Sequence, residues 1–414
     1  MKKKRVKPRD NKGRAGALPA TVTSLTPQAW EPILPRFHTT ETGRGPGEMP
    51  MLQDSPLPRK AYIWQQRQTY GRRLFGVFPA QYPREILWAM NVLPVEIWDP
   101  PLEVSCVGAH LQPYICSVVR LGLELILQGE CDDLDGLLFP HTCDSIQNLA
   151  SIVHDYVGLK KPSYFFYHPK APYRDSSREY YLEQLRGLVS RLERQLGPLD
   201  PSELKLRVNQ GQKVATVLEE LYALHARGEL CASNTEFYKV LRHGEYLHPD
   251  DFLPLLEGFM ARSRGLASSG PAVILSGVLP NPPEILTLLD RLGVRVADDD
   301  LLSCSRRLLA PSSSAEDPFE ALVERYFAMP PCTTKDSSVS ERLDYLLQKV
   351  ERSGARGVVF YLVKFCEPEL FDVPQLTEEF RKRGLAALVI DSEVNQGLSG
   401  QLVTRAEAFV EMIS

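Results

Sequence analysis

The amino-acid sequence predicts an α/β protein with two Rossmann-like, doubly wound parallel-sheet domains, an intervening helical block and a disordered basic N-terminal tail. Two separate alternations of short apolar strands with amphipathic helices indicate the two sheets, because strands joined through helices pair in parallel. A long stretch of helical patterns without strands lies between the alternations. We therefore expect a tail over residues 1–60, an α/β domain with the helical block over residues 61–265, and a second α/β domain over residues 266–414.

The tail is distinguished by its charge and composition. Residues 1–14 carry eight Lys or Arg and one Asp, and residues 1–60 are rich in Pro, Gly and Thr without sustained periodicity. Such a segment buries too little apolar surface to offset the entropy of ordering. A basic run can also be a localisation signal or a nucleic-acid patch, but fourteen residues do not make a nucleic-acid-binding protein, and we expect a solvated terminus.

The first alternation follows the tail and begins with a polar helix. Each predicted strand is a short, mainly apolar run. The predicted strands are Phe75–Pro79, Pro94–Trp98, Asp135–Phe139 and Ser163–Tyr167. The predicted helices are Ile63–Leu74, a segment opened by Pro83, Ile115–Leu127 and Ser145–Val157.

The helical block starts with one regular amphipathic stripe. Its apolar residues recur at spacings of three and four, which is typical of a helix with one buried face. These residues are Tyr181, Leu185, Leu188, Leu192 and Leu196. Asp175 or Ser176 can cap the start of this helix, and helical patterns continue to about Arg262.

The second alternation begins after a small-residue linker. The predicted strands are Ala272–Ser276, Val294–Ala297, Gly357–Val363 and Ala386–Ile390. The predicted helices are Pro283–Leu292, Pro318–Tyr326, Ser340–Ser353, Gln375–Arg383 and Gln401–Ile413. Gly293, Gly354 and Gly384 lie where a left-handed residue ends a helix. Ligands of such sheets bind at the carboxyl ends of the strands, near the topological switch point.

Several functional classes are excluded by missing motifs. The sequence contains no GxxxxGK[ST], HExxH, GxSxG or EF-hand pattern, so we expect no ATP binding through a P-loop and no nicotinamide dehydrogenase, serine hydrolase or zinc protease. Its one glycine-rich run, Gly43–Gly47, lies in the tail and follows no strand. No apolar run approaches the ~20 residues that cross a bilayer, and no apolar segment follows the basic start. We expect a cytoplasmic protein that binds no membrane.

The eight cysteines contain no CxxC pair, but three occupy related positions. Cys143 and Cys366 each follow a predicted strand and precede a helix, and Cys116 lies in the first turn of a helix. A helix start lowers the pKa of a thiol and favours an anionic ligand. We expect the three cysteines to converge in the cleft between the two sheets. Three soft thiolates without a histidine suit an iron–sulfur cluster better than catalytic zinc.

Five stretches resemble the 2-hydroxyacyl-CoA dehydratase family, which includes the core subunits of benzoyl-CoA reductase and the double-cubane cluster proteins. The resemblance runs from about Phe75 to the end of the chain. The similar stretches are ICSVVRLGLELILQG, GLLFPHTCDS, GVRVADDDLLSCSRR, VVFYLVKFCEPELFDVPQL and GQLVTRAEAFVEMI. Each is short, but together they occur in the family's order and on the expected elements.

The resemblance implies a [4Fe-4S] cluster held by Cys116, Cys143 and Cys366 between the two domains, beside an acyl-CoA thioester. It also implies a homologous second subunit or a homodimer, and a separate ATP-dependent iron–sulfur activator protein that delivers a low-potential electron. The missing P-loop agrees with ATP hydrolysis on another chain. We expect an iron–sulfur subunit of a low-potential acyl-CoA dehydratase or reductase. The alternatives are a double-cubane [8Fe-9S] reductase of small molecules and a non-catalytic partner subunit.

Further candidates are individually less specific. Cys332 is similar to a Pro-Cys element of part of the family, which suggests a fourth or outer ligand, with Cys106 as the other candidate. Cys304 lies later than the cysteine that many dehydratase subunits carry after the acidic pair, which leaves it doubtful as a ligand. His141 is a candidate proton donor near the cluster, although most such histidines are hydrogen-bonded loop residues.

Two further segments have two interpretations each. Ser399, Gln401 and Arg405 open the last predicted helix, where free N–H groups and an arginine suit a phosphate of coenzyme A. A serine N-cap with a surface ion pair explains the same residues equally well. The acidic turn Asp298–Asp300 is expected either to cap a helix or to line the cleft.

Overall fold

The computed structural model describes residues 57–267 and 269–414. The predicted N-terminal tail lies outside the described residues as far as residue 56. The described residues form one compact unit in which strands and helices alternate twice, as the sequence predicts. None of the helices in these residues is both long and apolar enough to cross a bilayer.

Eight strands form two four-stranded parallel sheets. The first sheet contains β1 (Arg73–Val77), β2 (Val92–Glu96), β3 (Gly136–Pro140) and β4 (Ser163–Phe166) in the order β2-β1-β3-β4. The second contains β5 (Ala272–Gly277), β6 (Arg295–Leu301), β7 (Gly357–Val363) and β8 (Ala386–Ser392) in the order β6-β5-β7-β8. The two sheets therefore repeat one topology, with switch points between β1 and β3 and between β5 and β7.

Fourteen α-helices connect and cover these sheets within the described residues. The helices of the first half are α1 (Arg59–Tyr70), α2 (Arg84–Ala89), α3 (Ser117–Leu127) and α4 (Asp144–Asp155). The helical block contains α5 (Ser177–Leu196), α6 (Pro201–Ala226), α7 (Asn234–Arg242) and α8 (Pro249–Ser263). The second half contains α9 (Glu284–Arg291), α10 (Ser305–Leu308), α11 (Pro318–Ala328), α12 (Val339–Ser353), α13 (Glu367–Lys382) and α14 (Gly400–Ile413).

The helical block ties the two sheets together. Leu218 and Leu221 of α6 belong to one buried apolar cluster that also contains Leu93 of the first sheet and Val296 of the second. All four side chains are fully buried. Burial on this scale is the main favourable term in folding, so the two sheets share a core rather than packing as independent domains.

Strand β6 differs from its sequence prediction, which ended it at Ala297. The strand continues through Asp298–Asp300, and all three aspartates are buried. A buried carboxylate is tolerated when it is paired or hydrogen-bonded, and each has buried partners on other elements. The partners are Lys349 for Asp298, Tyr222 and Tyr238 for Asp299, and Arg306 and Arg342 for Asp300. The prediction that Asp298–Asp300 form an acidic turn is therefore wrong.

Helix α13 also differs, because it begins at Glu367 rather than at Gln375. Pro368 lies in the first turn, where the missing N–H costs nothing. Pro374 lies inside the helix and removes one backbone hydrogen bond. The apolar face of the helix continues past this proline, with Val373, Leu376 and Phe380 all buried. The earlier start places Cys366 directly before the helix.

Candidate functional site

The carboxyl ends of the two sheets enclose an apolar pocket of about 470 Å³, here called the cysteine pocket. Its lining includes Cys116, Cys143 and Cys366, the three cysteines predicted to converge. Residues at or just after the carboxyl ends of the first three strands of each sheet complete most of the wall. They are Pro79, Trp98 and Thr142 from the first half, and Val278, Leu302 and Val363 from the second. The pocket therefore lies where parallel sheets of this topology bind ligands.

Each of the three cysteines occupies the N-cap position of a helix. Cys116 precedes α3, Cys143 precedes α4 and Cys366 precedes α13. Backbone N–H groups of the first helical turn lie near all three thiols and favour their anionic form. These amides are Val118 and Val119 for Cys116, Ser145 and Ile146 for Cys143, and Glu369 for Cys366. Anionic sulfur is favoured there by free N–H groups and by the helix dipole.

The turn before Cys366 carries backbone strain. Phe365 has a φ of 62°, in the left-handed region that a bulky side chain rarely adopts. This conformation turns the chain from β7 directly into α13, and the Phe365 ring packs against the apolar cluster around the cysteine pocket. Strain of this kind persists where the surrounding structure enforces it, and it is often found at functional sites.

The thiols have raised pKa values, which differs from the lowering expected at helix starts. Burial, with a smaller contribution from the neighbouring Cys143, raises the pKa of Cys116 to about 12. Burial likewise raises the pKa of Cys143. The pKa of Cys366 is raised mainly by burial, and also by the neighbouring Cys116, Glu369 and Cys143. Desolvation and mutual repulsion therefore outweigh the helix amides. The three thiols therefore need a cationic partner to become thiolates together.

The arrangement of the three cysteines indicates which kind of metal group they could hold. Among the described residues, no three His, Cys, Asp or Glu side chains are grouped closely enough to hold a metal ion. The three cysteines instead surround a shared space. Soft thiolates arranged around a space fit a cluster, whose irons are held by cysteine thiolates, better than a single zinc ion.

A second, more polar pocket of about 880 Å³, here called the outer pocket, adjoins the cysteine pocket. The two share four lining residues, which are Thr142, Cys143, Thr333 and Pro368. Lys170 and Asp336 form an ion pair of 3.7 Å on its wall, and Phe371 there has 78% of its surface exposed. Cys143 is the pocket cysteine that lines both spaces, so a ligand of the outer pocket can contact it.

A buried ion network supports the floor of the cysteine pocket. Arg306 contacts Glu369 at 2.5 Å and Asp300 at 2.9 Å, and Arg342 contacts the same two acids at 3.1 and 3.2 Å. Although burial alone raises the pKa of Glu369, the two arginines lower it to about 2. The network therefore fixes the first turn of α13 against β6. Sequence reasoning missed it, although the acidic run and the following Arg306 and Arg307 were the available signal.

His141 and Cys332 do not line either pocket. The ring of His141 packs 5.3 Å from that of Tyr167, and its Nε2 lies 3.9 Å from Asp144. The sulfur of Cys332 is fully buried, 3.1 Å from the Thr334 hydroxyl and 3.6 Å from Arg306. The structure thus brings together Cys116, Cys143 and Cys366 but leaves these two candidates outside that group.

The residues at the start of α14 form a capping arrangement. The Ser399 hydroxyl accepts the N–H of Leu402 at 3.3 Å, and the Arg405 guanidinium donates to the carbonyl of Val389 at 2.8 Å. Gln401 is exposed. These residues do not line the cysteine pocket or the outer pocket. Their contacts agree with a serine N-cap, and a role in binding coenzyme A stays a prediction.

Comparison with known proteins gives one consistent result. The family model for 2-hydroxyglutaryl-CoA dehydratase, D-component, matches residues 79–413. The beta subunit of (R)-phenyllactyl-CoA dehydratase from Clostridium sporogenes is 23% identical, covering 86% of this chain and 95% of the relative. The beta subunit of lactoyl-CoA dehydratase from Anaerotignum propionicum is 25% identical, covering 86% and 96%. A benzoyl-CoA reductase subunit from Thauera aromatica is 26% identical, covering 83% and 91%.

The matched region begins directly after β1 and includes the seven following strands and all three pocket cysteines. The family resemblance inferred from short sequence stretches is therefore confirmed over most of the chain. This chain belongs to the 2-hydroxyglutaryl-CoA dehydratase D-component family.

Proposed function

We propose that this chain is the iron–sulfur subunit of an enzyme that dehydrates or reduces an acyl-CoA. The convergence of Cys116, Cys143 and Cys366 around one pocket carries the proposal. Relatives named as dehydratase beta subunits and as a benzoyl-CoA reductase subunit support the reaction class. Both reaction types begin with a substrate that common cellular reductants do not reduce.

The three cysteines would hold a [4Fe-4S] cluster. When bound, such a cluster supplies a low-potential electron, and three protein ligands leave one iron open to a substrate oxygen. The chain's own groups prepare this site. Trp98, Val278 and Leu302 make the wall apolar and exclude water, and backbone N–H groups of the three helix starts lie near the sulfur atoms. Both effects tune the potential of an iron–sulfur centre.

The substrate would reach this centre through the outer pocket. This pocket, whose volume of about 880 Å³ includes open solvent, has room for a small acyl group, and Cys143 is part of its lining. Lys170 is a cation on its wall that can contact the polar part of an acyl-CoA. His141, two residues before Cys143, would supply a proton only after its ring turned from Tyr167 toward the pocket.

The working enzyme would contain further chains. The relatives are named as beta subunits, so we expect a homologous second subunit or a second copy of this chain. The sequence has no P-loop, so ATP hydrolysis would occur on a separate iron–sulfur activator that docks near the cysteine pocket. The double-cubane alternative needs more thiolates than the three in the pocket, and we therefore favour a single cluster.

Iron analysis tests the proposal and separates the alternatives. Protein purified without oxygen should carry about four irons per chain for one cubane, about eight for a double cubane, and none for a non-catalytic partner subunit. Replacing Cys116, Cys143 or Cys366 by Ser should strip or badly weaken the cluster, because a hydroxyl is a poor ligand for a soft metal.

Cys231→Ser is the matched control for these variants, because Cys231 is exposed and lies outside both pockets. It should keep the iron content and the electron paramagnetic resonance spectrum of the unmodified protein. Full iron content in the Cys143→Ser protein would overturn the assignment.

A further inference from the structure

A third pocket, here called the arginine pocket, lies behind the wall of the cysteine pocket and has a volume of about 490 Å³. The wall between them is thin. Pro79 lines the cysteine pocket, and the next residue, Ala80, lines the arginine pocket. The Thr334 hydroxyl on one side donates to Oε1 of Gln81 on the other, at 2.9 Å. The arginine pocket is a separate space with its own chemistry.

The arginine pocket carries an excess of positive charge. Arg84, Arg307 and Arg325 line it, with only 15%, 1% and 11% of their side chains exposed. Glu96 pairs with both Arg84 at 3.1 Å and Arg307 at 2.6 Å, and Glu85 pairs with Arg325 at 2.7 Å. Three cations thus face two anions. A buried charge without a partner is costly, so a monoanion would balance the pocket.

Two donors in this pocket are buried and have no hydrogen-bond partner within the described residues. Gln81 is 4% exposed, and its side-chain Nε2 donates to no acceptor. The Nε of Arg325 is likewise unpartnered, because Glu85 takes only Nη1. The Nε and Nη2 atoms of a guanidinium form one edge that binds a carboxylate through two parallel hydrogen bonds. Buried donors are nearly always satisfied in proteins, so these two indicate an acceptor ligand.

From these contacts we infer that the arginine pocket binds a small monocarboxylate. The carboxylate would accept from the free edge of Arg325 and from Gln81, and it would cancel the single excess charge. Leu322, Met329 and the ring of Tyr181 also line the pocket and would cover the short apolar part. A dianion such as phosphate would overcompensate the charge and would leave this apolar surface without a partner.

Binding is tested by thermal unfolding and calorimetry of the full chain with acetate, propionate and benzoate. Sodium chloride at the same ionic strength and sodium phosphate serve as the comparison. At least one carboxylate should raise the unfolding temperature when chloride does not. The inference would be overturned if none of the three carboxylates raised the unfolding temperature at concentrations up to about 10 mM, which would detect even weak binding. Equal stabilisation by phosphate would overturn it as well.

Two variants locate the site. Arg325→Lys keeps a cation beside Glu85 but loses the planar edge, and Gln81→Met removes the free amide. Each should weaken carboxylate binding about tenfold or more. Arg178→Lys changes a half-exposed arginine that does not line the pocket, and it should leave the affinity unchanged. Unchanged affinity in the Arg325→Lys protein would refute the site, and lost binding in the Cys143→Ser protein would assign the ligand to the cysteine pocket instead.

Discussion

The buried ion pair between Lys349 and Asp298 tests how β6 tolerates its acidic residues. The Lys349 ammonium lies 2.7 Å from the carboxylate, and the two side chains are only 1% and 3% exposed. Removing one partner of a buried pair costs about 3–5 kcal/mol, because the other charge stays desolvated. Asp298 keeps a longer contact of 3.4 Å to the exposed Arg352. We therefore expect Lys349→Met to lower the free energy of unfolding by about 3 kcal/mol, the lower end of that range.

A double-mutant cycle separates this pair from other effects of the substitutions. Lys349→Met, Asp298→Asn and the double variant should give a coupling energy of about 2–3 kcal/mol in urea unfolding at pH 7. The exposed pair Arg381 and Glu378, 2.8 Å apart on α13, is the matched control and should show no measurable coupling, since water screens it. A buried-pair coupling no larger than that of the control would refute the reasoning.

Three further predictions concern pH, packing and turnover. Burial lowers the pKa of His225 from 6.5 to about 4, so stability is full above pH 6.5 and falls as the pH drops toward 4. Between pH 7 and pH 5 the free energy of unfolding should fall by about 2 kcal/mol more in the unmodified protein than in the His225→Gln protein. An equal fall in both proteins would show that His225 is not the cause. Gly277→Ala should lower the unfolding temperature by several degrees, because its Cβ would overlap the Tyr361 carbonyl oxygen, whereas Gly397→Ala meets no neighbour and should change nothing. Acyl-CoA turnover should require the activator, a reductant and ATP together, and turnover with dithionite alone would exclude ATP-gated electron delivery.

Local patterns predicted most of the fold. Gly293, Gly354 and Gly384 all adopt the left-handed conformation expected after a helix, with φ between 64° and 70°. The strand Gly357–Val363 has the predicted bounds, because a continuous apolar run of this length is typical of a strand buried on both faces. These features depend only on residues that are neighbours in the sequence, so the sequence alone predicts them.

The parts that sequence reasoning missed depend on distant partners. Asp298 is compatible with a central strand only because Lys349, some fifty residues later, neutralises it. Cys116 was correctly grouped with Cys143, but no local pattern measures how far burial raises their pKa values. The arginine pocket could not be predicted either, since Arg84 and Arg325 are brought together by the packing of α2 near the later helices.

The shared core constrains how a substrate can enter. A clamshell enzyme opens by swinging two domains about a hinge, but here Leu93 and Val296 from opposite sheets pack into one apolar cluster. The buried pair of Glu96 and Arg307, 2.6 Å apart, also links the two halves. Opening would expose that core and break that pair. We therefore expect the two sheets to keep their relative positions, so that a ligand reaches Cys143 through the outer pocket without a movement of whole domains.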